Sequence, residues 1–437
     1  SGDAALRDVL QPDHPMDVPF GDALRLLGWE SSDAPSPADE GVPLMVYWMA
    51  QRSLQADYKV RLDVVDEEGF VYGTVEQRPT SYYYPTFRWT PGEPRLATMT
   101  IPLQPGTPPG EYWVRLSVYP EDTLSSLDIL DEVGAPQGQE VQLGPVMVAP
   151  PAFGWFGAGA PSTATPVNQT LLGGHELVAS RLALPVQLQP GQRVPLTLWW
   201  RVDGPLPGAT LHLGWERGST LVGEEQYAPG APAWSGDKWR PGDFLMTPLI
   251  ASVPRTIEPG LTRLVAWLSD ASGQESRRVT LASGNVVEAN RSFDPPAVTT
   301  PQQADFGEKI RLLGYDLSEQ EFTPGEPVTL TLYWEALSEM EESYTVFAHL
   351  LTASGAIIAE GGEDKLPDDG ARLTDSWIGG EYLADTFRLA LPSDPPPPPY
   401  RIEVGWYDAN DPGFPRLPAT GTGAERNRVI LSTRLNR

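Results

Sequence analysis

Four histidines, 58 acidic residues, a large aromatic set and no cysteine make up the chemistry available to this 437-residue chain. His14, His175, His212 and His349 are scattered without metal-ligand spacing, and His212 and His349 fall on matching strand patterns, which reads as strand side chains rather than metal ligands. The absence of thiols removes disulfides, thiolate nucleophiles and zinc–thiolate sites. No GxSxG elbow, P-loop or dinucleotide glycine pattern occurs. A glycosidase needs two carboxylates at a set distance, but pairs drawn from different strands leave no spacing to read. The nearest calcium-loop pattern is Asp408-Ala409-Asn410-Asp411-Pro412-Gly413, where Pro412 takes a position that needs an oxygen ligand; Asp364, Asp368 and Asp369 form a second, weaker group. Both read as solvated turns. The expectation is a chain with no catalytic residue, no metal and no cofactor.

The aromatics fall into two sets. Trp48, Trp200 and Trp334, and again Trp89, Trp239 and Trp377, recur at matching places along the chain, and repetition assigns them to cores and corners. The unrepeated ones, Tyr82, Tyr83, Tyr84 and Phe87, then Phe153, Trp155 and Phe156, then Trp234, are the candidate ligand or interface residues. Consecutive tyrosines on a strand face both ways, so at least one of Tyr82–Tyr84 should reach the outside. The Phe153–Phe156 group fits packing against a neighbouring domain.

The elements that must position these residues are strands. TPGEPVTLTLYWEAL at 323–337 is a Pro-Gly turn followed by alternation, with Val328, Leu330, Leu332 and Trp334 on one face. QPGQRVPLTLWWRV carries Val194, Leu196, Leu198 and Trp200 in the same way, and EGVPLMVYWMA carries Val42, Leu44, Val46 and Trp48. FGDALRLLGWE at 20–30 answers FGEKIRLLGYD at 306–316, and Trp48 stands as far before Gly69 as Trp334 stands before Gly355. Register kept through two strands and a turn means duplication. Three copies over this length, with 47 Pro and 42 Gly, give an all-β chain of three tandem immunoglobulin- or fibronectin-III-like sandwiches. The expected divisions are an arm or linker at 1–17, sandwiches at 18–149, 171–289 and 305–437, and Pro/Gly-rich linkers at 150–170 and 290–304. A single short helix is expected around Thr123 to Asp131, and Pro395 to Pro399 is a polyproline turn. The sequons at Asn168 and Asn290 lie in the linkers.

A formal charge of −27 repels nucleic acid and anionic membrane surfaces, so neither is an expected partner. No apolar run reaches the roughly 20 residues that span a bilayer. Ser1-Gly2-Asp3 does not begin a signal peptide, which points to a chain cut from a longer one.

FGEKIRLLGYDL at 306–317, LTLYWEAL at 330–337, YTVFAHLLTASG at 344–355 and YRIEVGWYD at 400–408 together resemble the β-sandwich modules that follow membrane glycosyltransferases of the protein-mannosyltransferase class in bacteria and that occur in other surface proteins. The third repeat carries the resemblance best, the first moderately and the second weakly. It implies an extracytoplasmic, cell-surface or secreted location and brings no catalytic residue. The chain lacks the membrane-spanning catalytic part of such enzymes. The expected function is a non-enzymatic structural or interaction protein with protein partners, self or neighbouring, such as a surface-layer or filament subunit whose 1–17 arm adds a strand to the next copy. The alternative is a carbohydrate-binding accessory module of a cell-surface glycosyltransferase system.

Overall fold

The computed structural model describes residues 12–80, 84–131, 134, 136–152, 159–182, 184–185, 187–230, 234–289, 291–319, 323, 326–409 and 414–432. The fold is all-β. The contacts group into two compact units: residues 1–186, 193–252 and 261–285, and residues 187–192, 253–260 and 286–437. No helix among the described residues is long and apolar enough to cross a membrane.

The first unit opens with β1 (His14–Phe20), β2 (Leu24–Ser31), β3 (Ser36–Pro37), β4 (Val42–Ala50), β5 (Tyr58–Val65), β6 (Val71–Gln77), β7 (Pro94–Ile101), β8 (Gly110–Pro120), β9 (Ile129–Leu130), β10 (Pro136–Gly138) and β11 (Glu140–Ala149). They form two sheets, ordered β10-β9-β1-β2-β4-β7 and β3-β11-β8-β5-β6. The alternating apolar positions of both sheets, Val46 and Trp48 from one and Leu62, Val64 and Val114 from the other, close a common core. Further along come β12 (Thr165–Thr170), β13 (Glu176–Leu182), β14 (Gln187–Leu188, which groups with the second unit), β15 (Arg193–Arg201), β16 (Thr210–Arg217), β17 (Thr220–Tyr227), β18 (Phe244–Ser252), β19 (Gly260–Ser269) and β20 (Val279–Val286). Here the orders within the unit are β12-β13-β15-β18 and β20-β19-β16-β17.

The second unit carries β21 (Thr300–Phe306), β22 (Ile310–Leu317), β23 (Pro327–Ala336), β24 (Thr345–Leu351), β25 (Ile357–Lys365), β26 (Tyr382–Ala390), β27 (Arg401–Tyr407), β28 (Ala419–Gly421), β29 (Ala424–Glu425) and β30 (Arg428–Ile430). Its sheets run β26-β23-β22-β21-β28 and β25-β24-β27-β30-β29. The order of the main strands is thus the same three times over.

Glycine marks the repeat for a physical reason. Gly28 and Gly314 sit at φ +155° and +151°, and a Cβ there would lie 2.6 Å from the His14 carbonyl oxygen and 2.3 Å from that of Thr300. At both places the pairing slips by one residue, between Leu26 and Gly28 and between Leu312 and Gly314. The strand that presses on the glycine is β1 or β21, drawn from a segment that the sequence reads as arm or linker. His14–Phe20, Thr165–Thr170 and Thr300–Phe306 each pair antiparallel with the following strand. Prolines in these segments hide their strand character, because a strand at a sheet's flank tolerates a missing N–H.

The helix expected at Thr123 to Asp131 is not formed. Leu124 stands at φ +58°, and Ile129–Leu130 is instead a short strand joined to β1 through Phe20. The segment is too short to nucleate a helix alone, and its backbone is taken up elsewhere: Leu127 N–H donates to the Val118 carbonyl at 2.7 Å and the Asp128 carbonyl accepts from Gly21 N–H at 2.7 Å.

Candidate functional site

In the first unit the site is built by a proline-rich loop, 102–109, that leaves β7 and crosses to β8. Gln104 pins it to β6, donating its backbone N–H to the Tyr72 carbonyl (2.6 Å) and its amide to the Val71 carbonyl (2.9 Å). The next two carbonyls then turn toward the second group of strands. Pro105 O accepts the indole N–H of Trp199 at 3.0 Å, and Gly106 O accepts the backbone N–H of Met246 at 2.7 Å. Gly106 has φ +89°, and a Cβ there would stand 2.8 Å from Met246 N, so only glycine permits this approach.

Trp199 explains why the contact holds. Alternation along β15 sends Trp200 into its own core and Trp199 to the opposite face, yet both are fully buried. The loop covers Trp199. Arg181 lies 5.3 Å over its ring and donates to Gln104 Oε1 at 3.1 Å. Ala179, Trp199, Phe244 and Met246 join the core of the first two sheets, giving one continuous apolar cluster across the seam.

Beside the seam lies a cleft of about 250 Å³ lined by Asp66, Glu67, Glu68, Phe70, Tyr72, Pro109, Glu111, Tyr112 and Trp113 on one side and by Tyr227, Ala228, Gly230, Thr247, Pro248 and Leu249 on the other. Tyr72 and Tyr112 are buried and meet edge to face at 4.9 Å between centroids, and they form its floor. Their hydroxyls are occupied, Tyr72 donating to Asp66 Oδ2 (3.1 Å) and Tyr112 to the Pro108 carbonyl (2.7 Å). Burial pushes both phenols far above their usual range. Trp113, the next residue on β8, points the other way and remains half-buried at the rim. Thr247 is held in place by the Trp200 indole N–H (3.1 Å) and the Gly230 N–H (2.9 Å).

Asp66, Glu67 and Glu68 come from the β5–β6 turn, and Glu111 from the start of β8. Asp66 Oδ1 accepts the N–H groups of Glu68 (3.1 Å) and Phe70 (2.9 Å), which fixes the turn. Burial raises the Asp66 carboxyl above its usual range despite those bonds. Glu68 is raised as well, by desolvation first and then by the negative charges of Asp66 and Glu67. Negative charge is crowded here: the lining contains no Lys, Arg or His, although Arg193 acts electrostatically on Tyr227.

The residues singled out in the sequence are placed as follows. Trp48, Trp200, Trp239, Trp334 and Trp377 are at most 1% exposed and Trp89 3%. Trp89, Trp239 and Trp377 each follow a 3₁₀ turn, at Thr86–Arg88, Gly236–Lys238 and Thr374–Ser376. Tyr84 and Phe87 are exposed; the Tyr84 hydroxyl donates to the Arg88 carbonyl at 3.0 Å, and Arg95 lies 5.4 Å over its ring. Trp234 is tied down locally, its indole donating to Asp243 Oδ2 (3.3 Å) under Arg240. Tyr82, Tyr83, Phe153, Trp155 and Phe156 lie outside the described residues. None of the described members lines the cleft.

No group of three or more acidic or histidine side chains among the described residues can hold a metal ion. Asp364 is engaged by His349 (2.6 Å) and Asp369 by Lys365 (2.8 Å), while 410–413 lie outside the described residues. His212 lies on β16 and His349 on β24, equivalent strands, and both are spanned by hydrogen bonds. His212 bridges Glu224 and Ser269 at 2.7 Å each, stacked on Trp267. His349 bridges Asp364 and the buried Glu403 (3.1 Å), which Arg428 also pairs.

Burial alone would lower the His349 pKa, but the hydrogen bonds and charges of Asp364 and Glu403 outweigh it and raise it from 6.5 to about 9. A group raised in the folded state stabilises it fully below its unfolded pKa and loses that contribution as pH rises through the folded value, here between 6.5 and about 9. The span corresponds to roughly 3 kcal/mol. Urea midpoints of the second unit's transition should fall from pH 6 to pH 9.5, and His349→Gln should flatten that fall; an unchanged slope in the variant would contradict this assignment.

Sequence reasoning missed Phe70, Trp113, Tyr227 and Trp199. The signal was present in the Trp199-Trp200 and Tyr112-Trp113 pairs, where adjacent aromatics on a strand cannot share one core. No protein-family model matches the chain, and no curated protein matches it.

Proposed function

We propose that the chain is a non-enzymatic, extracytoplasmic interaction protein of three tandem immunoglobulin- or fibronectin-III-like sandwiches, with its binding site in the cleft beside loop 102–109. Support for the sandwich class comes from the thrice-repeated strand order and from the tyrosine hydroxyls that reach back four residues, Tyr112 to Pro108 and Tyr400 to Pro396 (2.6 Å), as in the tyrosine corner of such domains. On this reading each sandwich takes in the extra strand ahead of it, so that domain starts move back to about residues 14, 165 and 300. The resemblance to surface modules supports the extracytoplasmic location.

The observation that carries the binding reading is the cleft itself: aromatic side chains on a buried tyrosine floor, with carboxylates crowded at the rim and held by two groups of strands that share one core. A purely structural role gives no reason to gather acid around half-buried aromatics. The filament reading has less behind it, since His14 and Pro15 of the arm are already paired with β2 of their own sheet.

The test is intrinsic fluorescence of Trp113, referenced to Trp113→Phe, during titration with panels of glycans, peptides and small amines. A saturable change for one ligand class, absent in Trp113→Phe and weakened by Tyr227→Ala, is expected. Ligands that bind the protein while leaving Trp113 and Tyr227 variants unaffected would contradict the site.

A further inference from the structure

The protein contains its own example of what the cleft lacks. Arg278 lies 4.7 Å over the face of Trp267 while its guanidinium pairs with Glu216 Oε1 at 3.0 Å, and Arg263 approaches the other Glu216 oxygen at 2.9 Å. An aromatic face and a carboxylate together satisfy a guanidinium, the face through its quadrupole and the acid through charge-assisted hydrogen bonds. The cleft supplies both halves of that receptacle. Phe70, Trp113 and Tyr227 offer half-buried rings, and Glu67, Glu68 and Glu111 stand exposed around them. Neither the cleft lining nor any other described residue gives these three glutamates an ion-pair partner.

Resting on the binding reading above, we propose that the cleft receives an arginine side chain presented by a partner polypeptide. Size supports one side chain. A volume of about 250 Å³ falls below the roughly 300–1,000 Å³ of sites that enclose whole drug-sized ligands. Charge excludes a neutral occupant as the preferred one, because a sugar would bury the crowded carboxylates further and bring no positive charge to them. Arginine fits better than lysine because a flat guanidinium can stack on a ring and still offer its edge to a carboxylate, which a compact ammonium cannot do as well.

The experiment compares three peptides by isothermal titration with the whole protein: acetyl-Gly-Arg-Gly-amide, its citrulline counterpart, which keeps the shape and loses the charge, and its lysine counterpart. The arginine peptide should bind saturably. Citrulline should weaken binding by about tenfold or more, since charge-assisted bonds are about twice as strong as neutral ones. Adding Glu67→Gln, Glu68→Gln and Glu111→Gln together, all exposed rim positions, should remove the preference for arginine over citrulline without shifting the far-UV spectrum. Equal binding of arginine and citrulline peptides, or no binding of the arginine peptide, would overturn the assignment. If a neutral glycan then bound and was lost in Trp113→Ala, the cleft would stand as the binding site with a different occupant. If no ligand class responded to Trp113→Ala, both readings would fall.

Discussion

Replacing Trp199 with alanine should lower the stability of the first unit by about 3–5 kcal/mol, the range for truncating a buried tryptophan. Three losses coincide. The ring leaves a cavity in a cluster that includes Ala179, Phe244 and Met246, the Pro105 carbonyl loses its 3.0 Å donor, and Arg181 loses the face it covers. Trp199→Phe keeps most of the ring and gives up the N–H, so it should cost nearer 1 kcal/mol for the hydrogen bond plus a smaller cavity. Urea unfolding followed by circular dichroism measures both. The alanine variant should also lose ligand response at Trp113, because loop 102–109 would no longer be held against β15 and β18. A loss under 1 kcal/mol would mean that the seam contributes little and that the cleft has no fixed walls.

The second large effect lies in the other unit, at Glu381. Its side chain is fully buried, with Oε2 2.5 Å from Arg291 and accepting the Ile378 N–H at 3.1 Å, while Oε1 meets Arg372. Arg291 is itself only 10% exposed and also donates to the Arg255 and Ser376 carbonyls. Glu381→Ala leaves that guanidinium buried with its counter-charge gone, and breaking a buried pair from one side costs about 3–5 kcal/mol. Glu381→Gln retains acceptors for part of the network and should fall between. A denaturation midpoint for the second unit that hardly moves in Glu381→Ala would mean that water or a rearranged partner replaces the carboxylate.

These two residues mark the limit of what could be read from the sequence. Alternation gave the cores, because a one-residue slip would turn every apolar side chain outward, so Trp48, Trp200 and Trp334 could be placed from pattern alone. Gly28 and Gly314 announced the repeat, but not the strand that presses on them. Alternation describes a strand against its own two faces and carries no information on what covers an outward face. Trp199 was therefore passed over beside Trp200, although it is buried beneath loop 102–109. The cleft was hidden for the same reason, since its walls come from segments more than a hundred residues apart, such as 66–72 and 227–249. The unrepeated aromatics drew attention because they were unusual, yet Tyr84 and Trp234 are satisfied locally by Arg88, Arg95, Asp243 and Arg240.

Charge offered a partial clue. The net −27 repels anionic surfaces at long range, but only the structure separates acids that are paired, such as Glu216 and Glu403, from those at the cleft that are not.

The most direct measurement of the central claim is backbone hydrogen exchange of the whole protein with and without saturating arginine-bearing peptide. Slowed exchange confined to residues 66–72, 109–113, 227–230 and 247–249 is the predicted result, because these segments line the cleft. Unchanged exchange in all four, or protection appearing only on other strands, would contradict the assignment of the cleft as the binding site.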